Sequence, residues 1–194
     1  MDKQLFLFMC RFSGGIIMDK RIVKTKKAIK DTFLQLRAKK PLEKITVKEL
    51  CELAYINKST FYCHYKDIYD LSDSLELEIV HSIIKSISKN HEYTLDNPEL
   101  FTKELCLAFL GHKSIINILF SGKEQSHLAD QLENEIKKII FSRYPQYTND
   151  IEKNILISYC IQGAYHAYIY NQNADIETLI RVIENIAKQL QPLC

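Results

Sequence analysis

The chain has 194 residues, with 26 Lys and Arg against 24 Asp and Glu, and only 5 Gly and 4 Pro. So few glycines and prolines favour long helices over strands joined by turns, and no apolar run approaches the roughly 18 residues of a membrane span. The six cysteines form no C-x-x-C pair, so we expect reduced thiols in a cytoplasmic protein that has no structural zinc.

Residues 1–18 form an N-terminal extension that does not continue the helical pattern of the rest of the chain. Its apolar run, Leu5–Cys10, is too short to span a bilayer, and no small-residue cleavage site of a signal peptide follows it. Paired glycine codons can form a purine-rich ribosome-binding site, and Gly14 and Gly15 are separated from Met18 by two codons, which is a suitable spacing before a start codon. We therefore hypothesise that translation in the cell begins at Met18.

Charge divides the remainder into a basic segment and an acidic one. Residues 20–66 carry 13 Lys and Arg against 4 Asp and Glu, whereas residues 67–194 carry 11 against 18. This asymmetry favours a nucleic-acid-binding unit at residues 19–68, followed by a body at residues 69–194 with a different task. A basic segment can also be a solvated surface, so charge alone leaves both interpretations open.

The basic segment begins with a predicted helix from Arg21 to Lys39, which Pro41 terminates. Its apolar positions share one face: Ile22, Ile29, Phe33 and Leu36. A capping box at Thr46–Glu49 starts a second, short helix that ends near Ala54.

A third helix is predicted from the N-cap Asn57 to about Tyr65, and Asp67 is a suitable N-cap for a longer fourth one. Two short helices joined by a tight turn, with a basic helix before them, are typical of a helix-turn-helix. The first turn of the recognition helix carries small or flexible polar side chains that can reach phosphates and base edges: Asn57, Lys58, Ser59 and Thr60.

Two further side chains in this stretch are suited to phosphate. Tyr62 can donate its hydroxyl, and Lys66 precedes a helix N-terminus, where an ammonium and backbone N–H groups can hold one phosphate together. We expect Phe61 and Tyr65 in the core, and the two thiols Cys51 and Cys63 as buried fillers.

The pattern I-T-V-K-E-L…A-x-I-N-x-S-T-F-Y-x-H-Y-K-D…L resembles the DNA-binding domain of TetR-family transcriptional regulators from Arg21 to about Leu71. The resemblance implies an all-α protein: a three-helix DNA-binding domain with a helix-turn-helix, followed by a larger helical ligand-binding and dimerisation domain. It also implies that Thr46 and His64 meet the DNA backbone. The complete set expected at DNA is Lys24, Lys27, Thr46, Lys58, Ser59, Thr60, Tyr62, His64 and Lys66.

One position departs from the family pattern. The turn between the two short helices usually has glycine where this chain has Tyr55. A tyrosine with positive φ is strained, so either the turn is remodelled or Tyr55 accepts the strain.

The acidic body continues as helices, predicted at Pro98–Gly111, Ser114–Phe120, Glu124–Tyr144, Asp150–Asn171 and Asp175–Leu190. The last two combine small residues, which let helices approach closely, with a regular apolar face, and we expect a homodimer to form through them; the alternative is an intramolecular core. The positions expected at this interface are Cys160, Gly163, Ala164, Ala167, Ile176, Leu179, Ile183 and Ile186.

The resemblance implies a small-molecule effector, whose identity the sequence does not give. Aromatic and histidine side chains expected to line its pocket are His81, Phe109, His112, Tyr159, Tyr165 and His166. The expected function is a ligand-responsive repressor that binds a palindromic double-stranded DNA operator as a homodimer. The alternative is a helix-turn-helix co-activator or adaptor whose body binds a partner protein. We expect no enzyme, metal or cofactor, because catalytic and ligand motifs are missing.

Overall fold

The computed structural model describes residues 20–88, 97–120 and 125–190, and the predicted N-terminal extension lies outside these ranges. Within them every regular element is a helix, as the sequence predicted. The α-helices are α1 (Lys20–Arg37), α2 (Val47–Leu53), α3 (Lys58–Tyr62), α4 (Ile68–Ser88), α5 (Pro98–Gly111), α6 (Lys113–Leu119), α7 (Gln125–Arg143), α8 (Ile151–Tyr170) and α9 (Ile176–Lys188). Two 3₁₀-helices, Leu42–Lys44 and Pro145–Tyr147, lie in the connections.

Helix starts in the body are fixed by local capping. The side chains of Asn97, Asp150 and Asp175 each accept a hydrogen bond from the backbone N–H three residues later, at 2.9, 3.1 and 2.9 Å. Such a bond satisfies one of the N–H groups that the first turn of a helix leaves without a partner. These caps explain why α5, α8 and α9 begin within one residue of the predicted positions.

The hydrophobic core is continuous from the basic segment into the body. Phe33 of α1, Leu71 of α4 and Phe109 of α5 are fully buried members of one cluster. At a second junction, the Arg37 guanidinium of α1 donates a buried hydrogen bond of 3.2 Å to the backbone carbonyl of Leu119 in α6. The predicted boundary between residues 68 and 69 is therefore the N-terminus of a helix that both parts of the core share.

The turn between α2 and α3 keeps its tight geometry at the cost of backbone strain. Tyr55 has a φ of 54°, and the N–H groups of Tyr55 and Ile56 bond back to the carbonyls of Glu52 and Cys51 at 3.4 and 3.0 Å. These two bonds form the Schellman arrangement that ends many helices, in which glycine is favoured at the position of Tyr55. The left-handed conformation costs a non-glycine residue about 1–2 kcal/mol.

We predict that Phe109→Ala lowers the free energy of unfolding by about 3–5 kcal/mol, because a fully buried ring is replaced by a cavity. Leu107→Ala is the matched control on the same helix, because Leu107 is exposed and its truncation should cost less than about 1 kcal/mol. Urea denaturation of the two variants measures both values. Equal losses would show that Phe109 is not a core residue.

Candidate nucleic-acid interface

Burial of Phe61 determines which side of α3 faces solvent. Its ring is fully buried, 5.8 Å from the ring of Tyr65, which is also buried as predicted. Ser59 and Tyr62 are exposed as a consequence; Lys58, in the first turn, is also exposed, and Thr60 is half-buried. The helix ends at Tyr62, three residues before the predicted end, with Cys63 as its C-cap.

Thr46 caps α2 as the sequence predicted. Its side-chain oxygen accepts a hydrogen bond of 3.2 Å from the backbone N–H of Glu49, which leaves the hydroxyl hydrogen of this exposed residue able to donate to another group. The Glu49 carboxylate accepts a hydrogen bond from the Lys40 ammonium. Lys40 therefore takes part in holding the N-terminus of α2, a contact that the capping box alone did not predict.

Two carboxylates accept hydrogen bonds from backbone N–H groups at the N-terminus of α4. Asp67 accepts from the N–H of Asp70 at 2.8 Å, and Asp70 accepts from the N–H of Lys66, also at 2.8 Å. The N–H groups of Lys66 and Asp70 are therefore already bonded, so neither is available to a phosphate at this helix N-terminus. The exposed Lys66 side chain remains able to contact one.

His64 is half-buried, and the charge of a lysine in α1 acts on its ring. Burial lowers the pKa of His64, and the positive charge of Lys26 lowers it further. The ring is therefore neutral at pH 7, where it can donate one hydrogen bond but brings no charge to the surface.

The lysines of α1 differ in their availability. Lys24 and Lys27, both expected at DNA, are exposed, whereas Lys30 forms an ion pair with Glu78 of α4. Lys26 was not predicted among the DNA-binding residues, although its charge acts on His64. The spacing of the lysines along α1 did not indicate that Lys26, among these residues, acts on His64.

One expectation about burial in the basic segment was wrong. Cys51 is buried as predicted, but Cys63 is exposed because it follows the last turn of α3. Ile22 is also exposed, unlike Ile29, Phe33 and Leu36, since it lies in the first turn of α1.

The six residues predicted to line an effector pocket lie at different depths. Phe109 and Tyr165 are fully buried, and the centroids of their rings lie 5.6 Å apart. The ring of Tyr168, which is also buried, lies 5.5 Å from that of Phe109. Burial raises the pKa of Tyr165 to about 12, so its hydroxyl stays protonated. These three buried rings pack together between α5 and α8.

The remaining four lie nearer the surface. His81, Tyr159 and His166 are exposed; His81 lies 3.7 Å from Glu135, and His166 stacks on Tyr170. His112 is half-buried and donates through Nδ1 to the carbonyl of Ala108 at 2.8 Å, so that Nε2 accepts from Ser82 at 2.9 Å. The structure therefore brings Phe109 and Tyr165 together, whereas His81, His112 and His166 each contact a different partner.

The residues predicted at a dimer interface divide into two groups. Cys160, Ala164, Leu179 and Ile183 are buried inside the chain, where α9 packs on α5 and α8. Gly163, Ile176 and Ile186 are exposed, and Ala167 is half-buried. With the exposed Ile155 and Tyr159 they form an apolar surface of α8 and α9, which contains a groove of about 120 Å³ bordered by Gly163, Ala167 and Ile186.

Gly163 needs no small side chain for the packing of its own chain. A Cβ added there would meet no atom within 4 Å. The space in front of Gly163 is therefore available to a second surface.

No protein-family model matches the chain, and no curated protein matches it either. No described helix is long and apolar enough to cross a membrane. Within residues 20–88, 97–120 and 125–190, no three His, Cys, Asp or Glu side chains stand close enough to hold a metal ion.

We predict that folding stability declines as the pH falls through 6.5, the ordinary pKa of histidine, because His64 takes up a proton more readily in the unfolded chain than in the folded one. His64→Gln should reduce this decline, and His127→Gln, at an exposed site in α7, is the control. Denaturation at pH 7.5 and pH 5.5 measures the difference. An unchanged decline in His64→Gln would contradict the assigned environment.

Proposed function

We propose that the protein is a DNA-binding transcriptional regulator of the TetR kind, which binds a palindromic duplex operator as a homodimer. In this proposal α2 and α3 are a helix-turn-helix, and α3 enters the major groove. The main support is the distribution of side chains on α3. Phe61 is buried in the core, while the side chains of Lys58, Ser59 and Tyr62 are exposed.

The surroundings of α3 carry the charge that a polyanion requires. Lys24, Lys26, Lys27 and Lys66 are exposed on the neighbouring helices and turns, and the Thr46 hydroxyl is free to donate. Contacts of lysine and hydroxyl groups to phosphates position a protein on DNA, whereas side chains in the first turn of α3 read base edges. Lys58, Ser59 and Thr60 are therefore the proposed readers of sequence.

Dimerisation is proposed through the exposed apolar surface of α8 and α9. Exposed apolar residues that cluster on one face favour association with another protein surface. Two copies related by a twofold axis would present two α3 helices to successive major grooves of a palindrome.

A small-molecule effector would act by favouring one arrangement of the two DNA-binding units, with a coupling of about 1–3 kcal/mol. The second candidate function is an adaptor whose body binds a partner protein. One observation favours it: the buried rings of Phe109, Tyr165 and Tyr168 pack against one another where a pocket was predicted. An effector that lowers duplex affinity would support the first function, and a protein that binds the complex through the body would support the second.

We predict that Lys66→Ala weakens binding to all duplexes about equally, because its ammonium contacts a phosphate and reads no base. Removing one interaction between a lysine and a phosphate should flatten the log–log salt dependence by roughly 0.9, or about twice that in a symmetric dimer. Fluorescence titrations against operator and scrambled duplexes at several salt concentrations measure the slope. Lys188→Ala, at an exposed lysine of α9, is the control.

Tyr62→Phe should cost about 0.5–1.5 kcal/mol of binding free energy per subunit, because it removes only a hydroxyl that donates to a phosphate. Tyr170→Phe is the control, because Tyr170 is an exposed tyrosine at the end of α8 and is not among the residues of the proposed interfaces. If neither Lys66→Ala nor Tyr62→Phe changes binding, the basic surface is only a solvated one.

We predict that duplex affinity rises as the pH falls below about 6.5. In the free protein the pKa of His64 is lowered, and a DNA phosphate near the ring would raise this pKa because it stabilises the imidazolium. The complex then binds a proton that the free protein does not. Titrations at pH 7.5 and pH 6.0 should show this gain in wild type and a smaller gain in His64→Gln. A full gain in the variant would remove His64 from the interface.

We predict that Gly163→Lys converts the dimer to a monomer without unfolding the chain, since the new side chain meets open space in one chain and an apolar surface in the dimer. Gly111→Lys is the matched control, because a Cβ at Gly111 also meets no atom within 4 Å and Gly111 lies outside the surface of α8 and α9. Sedimentation at micromolar concentration distinguishes the species. A wild-type monomer would contradict the proposed interface; Ile183 is unsuitable for this test because it is buried in its own chain.

A further inference from the structure

Tyr55 combines a strained backbone with an almost fully exposed side chain. It has a φ of 54° and is 95% exposed, the largest exposed fraction among the large apolar and aromatic residues that the structure describes. The turn does not use the side chain, because both closing bonds are made by backbone groups of Tyr55, Ile56, Cys51 and Glu52. Glycine would make the same bonds without strain.

An exposed ring at a strained position gains nothing from packing in the free protein. Strained residues that persist in a fold are frequently found where the strain serves binding. Tyrosine is also suited to an interface, because its ring offers contact area and its hydroxyl a hydrogen-bond donor. The side chain therefore requires an explanation outside the chain itself.

The surroundings of Tyr55 indicate which partner it meets. Asn57, the N-cap of α3, lies two residues later and its side chain makes no capping bond, and the exposed Lys58 follows. An aromatic side chain close in sequence to a lysine and an amide, just before the helix proposed to enter the groove, fits the edge of a duplex better than an apolar protein surface.

We infer that the Tyr55 hydroxyl donates a hydrogen bond to a backbone phosphate of the duplex that α3 enters. This inference rests on the proposed function. A neutral donor displaces no counterion, so Tyr55 adds affinity on every sequence without adding to the salt dependence. It thereby differs from Lys66, whose contact changes the slope.

The test uses the full chain as wild type, Tyr55→Phe and Tyr55→Gly. Fluorescence titrations against a duplex selected from a random library, and against its scrambled version, are made at several salt concentrations. Tyr55→Phe should weaken binding about fivefold per subunit on both duplexes with an unchanged salt slope. Tyr55→Gly should weaken binding at least as much while its melting temperature stays equal to that of wild type or rises.

Leu53→Ala is the control, because Leu53 is an exposed residue at the same end of α2 and should bind like wild type. Wild-type affinity in both Tyr55 variants overturns the inference, and a flattened salt slope in Lys66→Ala would then leave the proposed function standing. The inference is also overturned if Tyr55→Phe affects only one duplex or changes the salt slope, or if Tyr55→Gly melts well below wild type. A wild-type protein that binds neither duplex overturns the inference and the proposed function together.

Discussion

The burial of Phe61 is the constraint on which the candidate interface depends. A helix of five residues has too little internal hydrogen bonding to be stable alone, so α3 needs a side chain that holds it to the core. Phe61 supplies this contact against Tyr65. Once Phe61 points inward, helical geometry directs Ser59 and Tyr62 away from the core. The exposure of these two side chains is therefore a consequence of one buried ring, whereas Lys58 is exposed in the first turn of the helix.

The same core extends along α4 and fixes α3 relative to the body. Leu71 packs near the start of α4, and Ile83 is buried near its end. The Arg37 bond to Leu119 and the Lys30–Glu78 ion pair connect α1 to the same framework. In a homodimer, the arrangement of the two bodies would consequently set the separation of the two α3 helices, and with it the spacing of the two halves of an operator.

The sequence predicted what depends on neighbouring residues in the chain. Helix positions followed from caps such as Asn97 and Asp175, which act over three residues. Burial of Cys63 was predicted wrongly, because the helix ends one residue before it. The pattern likewise did not show that the N–H of Lys66 is bonded to Asp70. The burial of aromatic and histidine side chains in the body could not be predicted from the sequence for another reason. Tyrosine and histidine are compatible with both buried and exposed positions, and only tertiary packing explains why Tyr165 is buried and His166 is exposed.

The central claim is that α3 reads duplex DNA as one half of a symmetric pair. Its most direct test is to incubate the purified protein with a random duplex library and sequence the fragments that it retains. The account predicts one palindromic motif whose half-sites are separated by about one helical turn, 10–10.5 base pairs, or a multiple of it. Retained fragments with no enriched motif, or with a single half-site and no symmetric partner, would contradict it.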